Sequence, residues 1–386
     1  MTKPPKIAVR SQIQPFRVMD VMSAAAERER AGGEVVHMEV GEPGHPTPRR
    51  AVDAAERAMR RGDTGYTLAL GMQPLRERIA RLYLEEYGVE VNDDRVVVTT
   101  GSSSACTLAF LACFDIGDRV AIGRPGYPAY GRIMQALGIE PVEISTRFAD
   151  KFQPTPAQIA DQSGLDGVML ASPANPTGTM IAEQDLEAIC RHCADQGIRV
   201  ISDEIYHRVT YAEPGQTALK FNADAIAINS FSKYYCMTGW RIGWMVVPEA
   251  LIRPVERLAQ NFFISPPTPA QHAALAVLDC ADELDTRIAG YAKNRELLLG
   301  ALARLGLEHT ASADGAFYLY VDVSSLTNDS EAFCKAMLDG AGVAGVPGVD
   351  FDAQEGNRYM RLCYAIAEEE VCRAIERLEA WLPTQR

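Results

Sequence analysis

Six short apolar runs, RVVVTT, RVAIG, GVMLAS, IRVISD, AIAINS and GWMVV, recur between residues 95 and 247, and helical patterns such as AEQDLEAICRHCADQG lie between most of them. This alternation constrains the fold more than any other feature of the chain. Short runs rich in Val and Ile, with no regular polar alternation, suit strands covered on both faces. Parallel strands need a crossover of about a dozen residues or more, usually a helix, to bring the chain back to the same edge. The repetition predicts an α/β fold whose large domain is a mostly parallel, helix-covered sheet. The pattern then changes. An Ala- and Leu-rich helical region over 268–305 is followed by AFYLYVDV, a helix around SEAFCKAMLDG, the run VAGV, RYMRLCYAI and a final helix. These predict a smaller α+β domain, completed by a helix over 17–31 and the apolar run EVVHMEV. The expected division is 46–284 for the large domain, with 1–45 and 285–386 forming an N-terminal arm and the small domain.

Charge and cysteine usage narrow the function classes. The 51 acidic residues outnumber the 38 basic ones, for a net charge of −13. Such a field repels nucleic acid and anionic membranes, so neither is expected as a partner. No apolar run approaches the roughly 18 residues of a membrane span, and the opening MTKPPKIAVR has no secretory pattern. The nine cysteines are an odd number placed mostly in apolar segments, which suits reduced core thiols and a cytoplasmic location. Cys190 and Cys193 form a CxxC on an amphipathic stretch with no second pair, so packing rather than metal binding is expected there.

Ligands of open α/β sheets bind beyond the carboxyl ends of the strands. RVVVTT is followed by Gly101-Ser102-Ser103-Ser104 and a helical run, a place for an anion on free amides and a helix dipole. GVMLAS leads to Asn175 between Pro173 and Pro176, IRVIS to Asp203 with Tyr206 close behind, and AIAINS to Lys233, with Arg241 eight residues on. Each alone fits an ordinary cap, turn or exposed side chain. Gathered around one crevice, they form an anion nest, an amide, a carboxylate and a lysine. That inventory matches pyridoxal 5′-phosphate, which needs a lysine for its aldehyde and an acidic partner for its pyridine nitrogen.

The segments SPANPTG, DEIY and SFSKYYCMTGWRIGW, in this order between GEPGHPTP and RLCY, resemble the class I/II aminotransferases of pyridoxal-phosphate fold type I, aspartate aminotransferase-like, over nearly the whole chain. The resemblance implies an aminotransferase moving an amino group from an L-amino acid to a 2-oxo acid in two half-reactions. It makes Lys233 the lysine joined to the cofactor as an imine. Asp203 pairs with the pyridine nitrogen, and Tyr206 and Asn175 hydrogen-bond the ring hydroxyl. Ser102, Ser103, Ser230, Ser232 and Arg241 hold the phosphate, and Tyr127 stacks on the ring. Tyr66 reaches the phosphate of a neighbouring subunit, which implies a homodimer with shared sites. Arg361 clamps the substrate α-carboxylate, helped by the Gly41 amide.

Other features are expected to be structural. Phe317 and Tyr318 are expected to line the sheet, and His207 to be packed or exposed rather than a base. The histidines show no ligand spacing, so no metal is expected. GAGVAG at 340–345 fits GxGxxG, but it follows a helix and leads into a strand, which makes Gly340 a helix C-cap and not a dinucleotide fingerprint. Two rival functions share the scaffold: a β-lyase acting on carbon–sulfur bonds, and the effector-binding domain of a regulator. The second is disfavoured by the acidic charge and by the short stretch before GEPG. Aspartate-selective relatives commonly carry a lysine where Ser103 stands, which leaves the donor open among acidic, neutral and aromatic amino acids. Phe16, Arg17 and Val18 of the arm are further candidates to touch substrate.

Overall fold

The computed structural model describes residues 5–385. Its strands are β1 Val36–His37, β2 Val96–Thr99, β3 Arg119–Arg124, β4 Glu140–Ser145, β5 Gly167–Ala171, β6 Arg199–Asp203, β7 Ile226–Ser230, β8 Gly243–Val246, β9 Tyr318–Asp322, β10 Val343–Ala344, β11 Val346–Pro347 and β12 Tyr359–Cys363. The helices are α1 Arg17–Arg30, α2 Arg49–Arg61, α3 Gln73–Tyr87, α4 Ser102–Cys113, α5 Ala129–Leu137, α6 Pro156–Ala160, α7 Glu183–Gln196, α8 Glu249–Phe262, α9 Thr268–Val277, α10 Ala281–Arg304, α11 Ser330–Ala341 and α12 Glu368–Trp381.

A seven-stranded sheet in the order β2-β8-β7-β6-β5-β3-β4 forms the centre. Strands β3 to β7 run parallel, whereas β8 is antiparallel to both its neighbours, β2 and β7. The exception has a covalent reason. Residues 231–242 join β7 to β8 with no crossover helix, so the chain turns back beside its own strand. That turn is the lysine-bearing segment, and it lies at the carboxyl end of β7.

Successive residues of each strand enter opposite cores. Val98, Val168, Leu170, Val200, Ala227 and Trp244 join one apolar cluster with α3, α7 and α9, while Val97, Met169, Ile201, Ile226, Ile228 and Met245 join another with α4, α5 and α8. Both faces are dry, which is why these runs read as continuous apolar segments. Each Val, Leu, Ile or Met among them contributes about 1.5–3 kcal/mol of burial.

Strand β4, EPVEIS, lies outside the six runs expected from sequence. It is the edge of the sheet, with a proline and exposed glutamates that a central strand would exclude. The run EVVHMEV yields only the two-residue β1, which pairs with β10. VAGV is split, because β10 joins β1 while β11 joins the antiparallel sheet β11-β12-β9. Gly340 is inside α11, and Gly342, at φ +65°, is the residue that caps it. All nine cysteines are unpaired, with Cys190 and Cys193 buried on α7. Among the described residues no helix is long and apolar enough to cross a membrane, and no His/Cys/Asp/Glu group could hold a metal ion.

Candidate active site

Residues from the carboxyl ends of β2, β5, β6 and β7 line a cavity of about 470 Å³. Its wall includes Gly41, Ser102, Ser103, Tyr127, Asn175, Asp203, Tyr206, Ser232, Lys233 and Arg241, so the structure brings these ten expected residues together.

The lysine segment folds as it does because its neighbours are aromatic. Phe231, Tyr234 and Tyr235 are buried, and the Phe231 ring lies 4.8 Å from that of Trp244 and 5.0 Å from that of Tyr235. The backbone closes through Cys236 N donating to Lys233 O and Met237 N donating to Phe231 O. With those rings in the core, the lysine is directed into the cavity. Lys233 Nζ donates to the Gly41 carbonyl at 2.5 Å. It stands 5.7 Å from the centre of the Tyr206 ring and 5.8 Å from that of Phe317. Burial pushes its amine down to about 8, and the nearby Arg361 charge acts in the same direction.

Asp203 ends β6 and is 3% exposed. One carboxylate oxygen accepts from the Ile205 amide at 3.1 Å, the other from the Tyr130 hydroxyl at 2.5 Å. Burial pushes the carboxyl up to about 6, while these two bonds and the Lys233 charge pull it back. Behind it, Glu204 is fully buried and pushed up to about 8, chiefly by desolvation. His207 is buried too; its ring bonds the Tyr87 hydroxyl at 2.8 Å, and desolvation pushes it down to about 4. It is a packed histidine off the cavity wall.

At the opposite end the backbone brings a cation to a helix start. Arg241 adopts a left-handed conformation, φ +49°, which is uncommon for a side chain of this size. Its Nη1 donates to Thr238 O, and a β-carbon on Gly101 would stand 2.6 Å from its Nη2. Gly101, at φ +83°, opens α4, so a guanidinium and the free amides of the first turn share one corner of the cavity. Ser230 is not on the wall. It is buried behind Ser232, to whose hydroxyl it donates at 2.9 Å.

Arg361 on β12 is also behind the lining. It is buried, with Nη1 donating to Asn175 Oδ1 at 2.9 Å and Nη2 to the Glu39 carbonyl at 2.5 Å, while its buried Nε has no hydrogen-bond partner among the described residues. Its guanidinium stacks 4.5 Å from the centre of the Tyr318 ring. The Tyr206 hydroxyl is bonded at 2.7 Å by that of Tyr318, a buried residue of β9. A β-carbon on Gly41 would stand 2.1 Å from the Tyr318 hydroxyl, so this glycine is needed for closeness. Phe317, too, faces the lysine as given above. Tyr66 stands apart, 82% exposed on the loop before α3. Arg17 is paired with Glu331 and is absent from the cavity wall. Phe16 packs its ring 6.0 Å from that of Tyr127, and the Val18 amide donates to Asp350.

Sequence reasoning passed over Tyr130, Met19, Met22, Val40, Glu42, Ile205 and Thr238, which complete much of the wall. Tyr130 could have been found, since it follows Tyr127 by three residues at a helix start. The methionines could not, because nothing local ties α1 to the sheet ends.

Comparison with known proteins adds to this geometry. A family model described as aminotransferase class I and II matches residues 33–378. A valine–pyruvate aminotransferase of Mycobacterium tuberculosis is 47% identical over 98% of this chain and 99% of its own length. Two crystal structures share the fold. An aminotransferase from Mycobacterium tuberculosis has 46% identity and a TM-score of 0.97, covering 99% of this chain and 100% of that one. The aspartate aminotransferase of Thermus thermophilus, solved with maleate, has 31% identity and a TM-score of 0.92, covering 98% and 100%.

Proposed function

The chain belongs to the class I and II aminotransferases, which transfer amino groups between amino and oxo acids, and from that premise we propose that it works through pyridoxal 5′-phosphate held in this cavity. One observation carries the reading: an amine pushed down to about 8, a buried carboxylate, and a guanidinium at a helix start line the same space. The donor set fits the group in kind. Ser102, Ser103, Ser232 and Arg241 would hold the phosphate, with Ser230 orienting Ser232. Asn175 and Tyr206 would hold the ring hydroxyl, and Tyr127 would cover a ring face. Asp203 would be the counter-ion of the ring nitrogen. When bound, the cofactor supplies a carbonyl reactive toward amines and a ring that takes up the electrons left when the substrate α-proton departs.

This chain's residues do the rest. Arg361, with its unpaired Nε, and the Gly41 amide would fix the substrate α-carboxylate, which orients the Cα–H bond toward Lys233. Lys233 would remove the Cα proton, which requires the neutral amine, and the ammonium so formed would return it on the far side of the amino nitrogen. Desolvation of that amine supplies the neutral form close to neutral pH. The stretches 46–284, and 1–45 with 285–386, would act as the two domains enclosing it. Nine unpaired thiols suit a cytoplasmic enzyme.

The donor we propose is a neutral, aliphatic amino acid. Met19, Met22, Val40 and Ile205 contribute to the apolar part of the wall, and its only cations, among the described residues, are Lys233 and Arg241. A second substrate carboxylate would meet Glu42 instead. Leaving a charge unpaired in such a site costs several kcal/mol. A panel of donors with pyruvate as acceptor should give valine a kcat/KM at least about 10²-fold above aspartate. Preference for aspartate would overturn the donor assignment.

A homodimer would complete the site. Tyr66 and Leu68 on the loop before α3 are 82% and 74% exposed, and Phe262 and Ile264, at and after the end of α8, are exposed apolar side chains too. Fully buried Gln271 joins the two segments, bonding Thr67, Met72 and Pro266. Ile264 is held at φ +65°, a strained conformation for a β-branched residue. If Tyr66 serves the other copy, Lys233→Ala and Tyr66→Asp proteins, each nearly inactive, should regain activity on mixing. Random exchange makes half the dimers mixed, each with one intact site of two, so about a quarter of wild-type activity is expected. A mixture no better than the sum of its parts would place Tyr66 in its own chain's chemistry or in none.

A further inference from the structure

We propose that Tyr130 is a positioning residue for amino transfer, its hydroxyl keeping the Asp203 carboxylate ionised and fixed for its role as counter-ion; the proposal rests on the reading of the site above. Tyr130 is in the first turn of α5 and 7% exposed. Its ring is held edge-on to Tyr127, with centres 5.3 Å apart and planes at 80°. That places the phenol between the cavity and a neighbouring cleft of about 710 Å³, whose lining also includes Tyr127. Among the described residues it is the only side chain hydrogen-bonded to Asp203; the other donor is the Ile205 amide. The hydroxyl donates to a carboxylate oxygen, and such a bond is about twice as strong when the acceptor is ionised, so it favours the charged carboxylate.

The chemistry gives this bond a direction. Burial raises the Tyr130 phenol well above its ordinary value, so it keeps its proton and can only donate to a carboxylate. Burial also drives Asp203 toward its neutral form, and among the influences opposing this the Tyr130 bond is the largest. A neutral carboxylic acid cannot balance a protonated pyridine. Without the phenol, Asp203 would gain a proton across part of the neutral range, and its charge would return only at higher pH. Tyr130 would thereby set the lower pH limit of the site.

The test uses the full chain carrying Tyr130→Phe, Asp203→Asn, or both. In cofactor-free protein, the difference in melting temperature between the wild type and Asp203→Asn reports Asp203 ionisation and should open between about pH 4 and 6. Between Tyr130→Phe and the double variant, the upper edge of that window should move up by about one pH unit or more, its lower edge staying at the unfolded value. Pyridoxal 5′-phosphate affinity, read by fluorescence, should fall about tenfold in Tyr130→Phe at pH 6.5 and recover toward wild type at pH 8.5. In the Asp203→Asn background the same change should have no further effect. A loss of equal size at every pH, or one that persists in that background, would make Tyr130 merely structural and overturn the proposal. If Tyr130→Phe fails to fold, Tyr130→Gln retains a donor and should hold the window near that of the wild type; an upward shift there also overturns it. A wild type that binds no pyridoxal 5′-phosphate would defeat the reading of the site instead, while the cofactor-free melts would still decide the role of Tyr130.

Discussion

Replacing Lys233 with alanine is expected to lower amino transfer by about 10⁴-fold or more, and to remove the absorbance that bound pyridoxal 5′-phosphate shows when joined to an enzyme amine. Two contributions are lost together, the covalent hold on the cofactor and the base that moves the α-proton. Unfolding would not account for the loss. The amine is pushed down to about 8 in the native chain against about 10.4 in an unfolded one, so between these values the unfolded state binds more protons. Stability gained from neutralising it therefore grows as pH rises through that window, and at pH 7 the buried cation is a cost. Cofactor-free Lys233→Ala should melt at or above the wild-type temperature at pH 7. The same displacement predicts that capture of pyridoxal 5′-phosphate by the wild type speeds up with pH and levels off above about 8. Substantial turnover by the alanine variant would end the proposed role. A capture rate still climbing at pH 10 would show that the amine is an ordinary one.

Asp203→Asn should divide function from stability. Turnover is expected to fall by about 10²–10⁴-fold, because a neutral amide cannot balance the charge on the ring nitrogen. The cofactor-free protein should nonetheless gain stability. The carboxyl is pushed up to about 6 by burial, against about 3.9 unfolded, so between these values the native state binds more protons. Stability falls as pH rises through that window, and the full cost remains above about 6. A rise of about two in pKa, at 1.36 kcal/mol each, amounts to about 3 kcal/mol. The amide variant should recover up to that amount at pH 7 and almost nothing near pH 4, as read from denaturant melts across the range. Loaded with pyridoxal 5′-phosphate the order should reverse, since the wild type then gains a counter-ion that the variant lacks. Equal melts at pH 4 and pH 7 would show that Asp203 is not a buried charge in the unloaded site, and wild-type turnover would remove it from the mechanism.

Much of the molecule was legible before its coordinates. The runs that became β2, β3, β5, β6, β7 and β8 could be read because their side chains are buried on both faces, leaving uninterrupted apolar stretches. EPVEIS could not, because an edge strand tolerates proline and exposed glutamate, so its pattern resembles that of a loop. The wall residues on strand ends were legible for a similar reason. Asn175, Asp203 and Lys233 each lie at or just beyond a strand end, and parallel strands deliver their carboxyl ends to one edge.

The chain alone thus determined the parallel sheet, the edge at which its reactive side chains gather, and their chemical kinds, since all three follow from local pattern and strand direction. Contacts between distant segments were decided only in three dimensions. Tyr130 meets Asp203 across 73 residues and Tyr318 meets Tyr206 across 112, while Met19 and Met22 reach the cavity from the N-terminal helix. Ser230 was displaced behind Ser232, and Tyr66 was left facing outward. No periodicity records such pairings, because they depend on packing angles and the path of the chain. The two pKa displacements have the same origin: desolvation by distant residues sets them, and the unfolded sequence holds no trace of it.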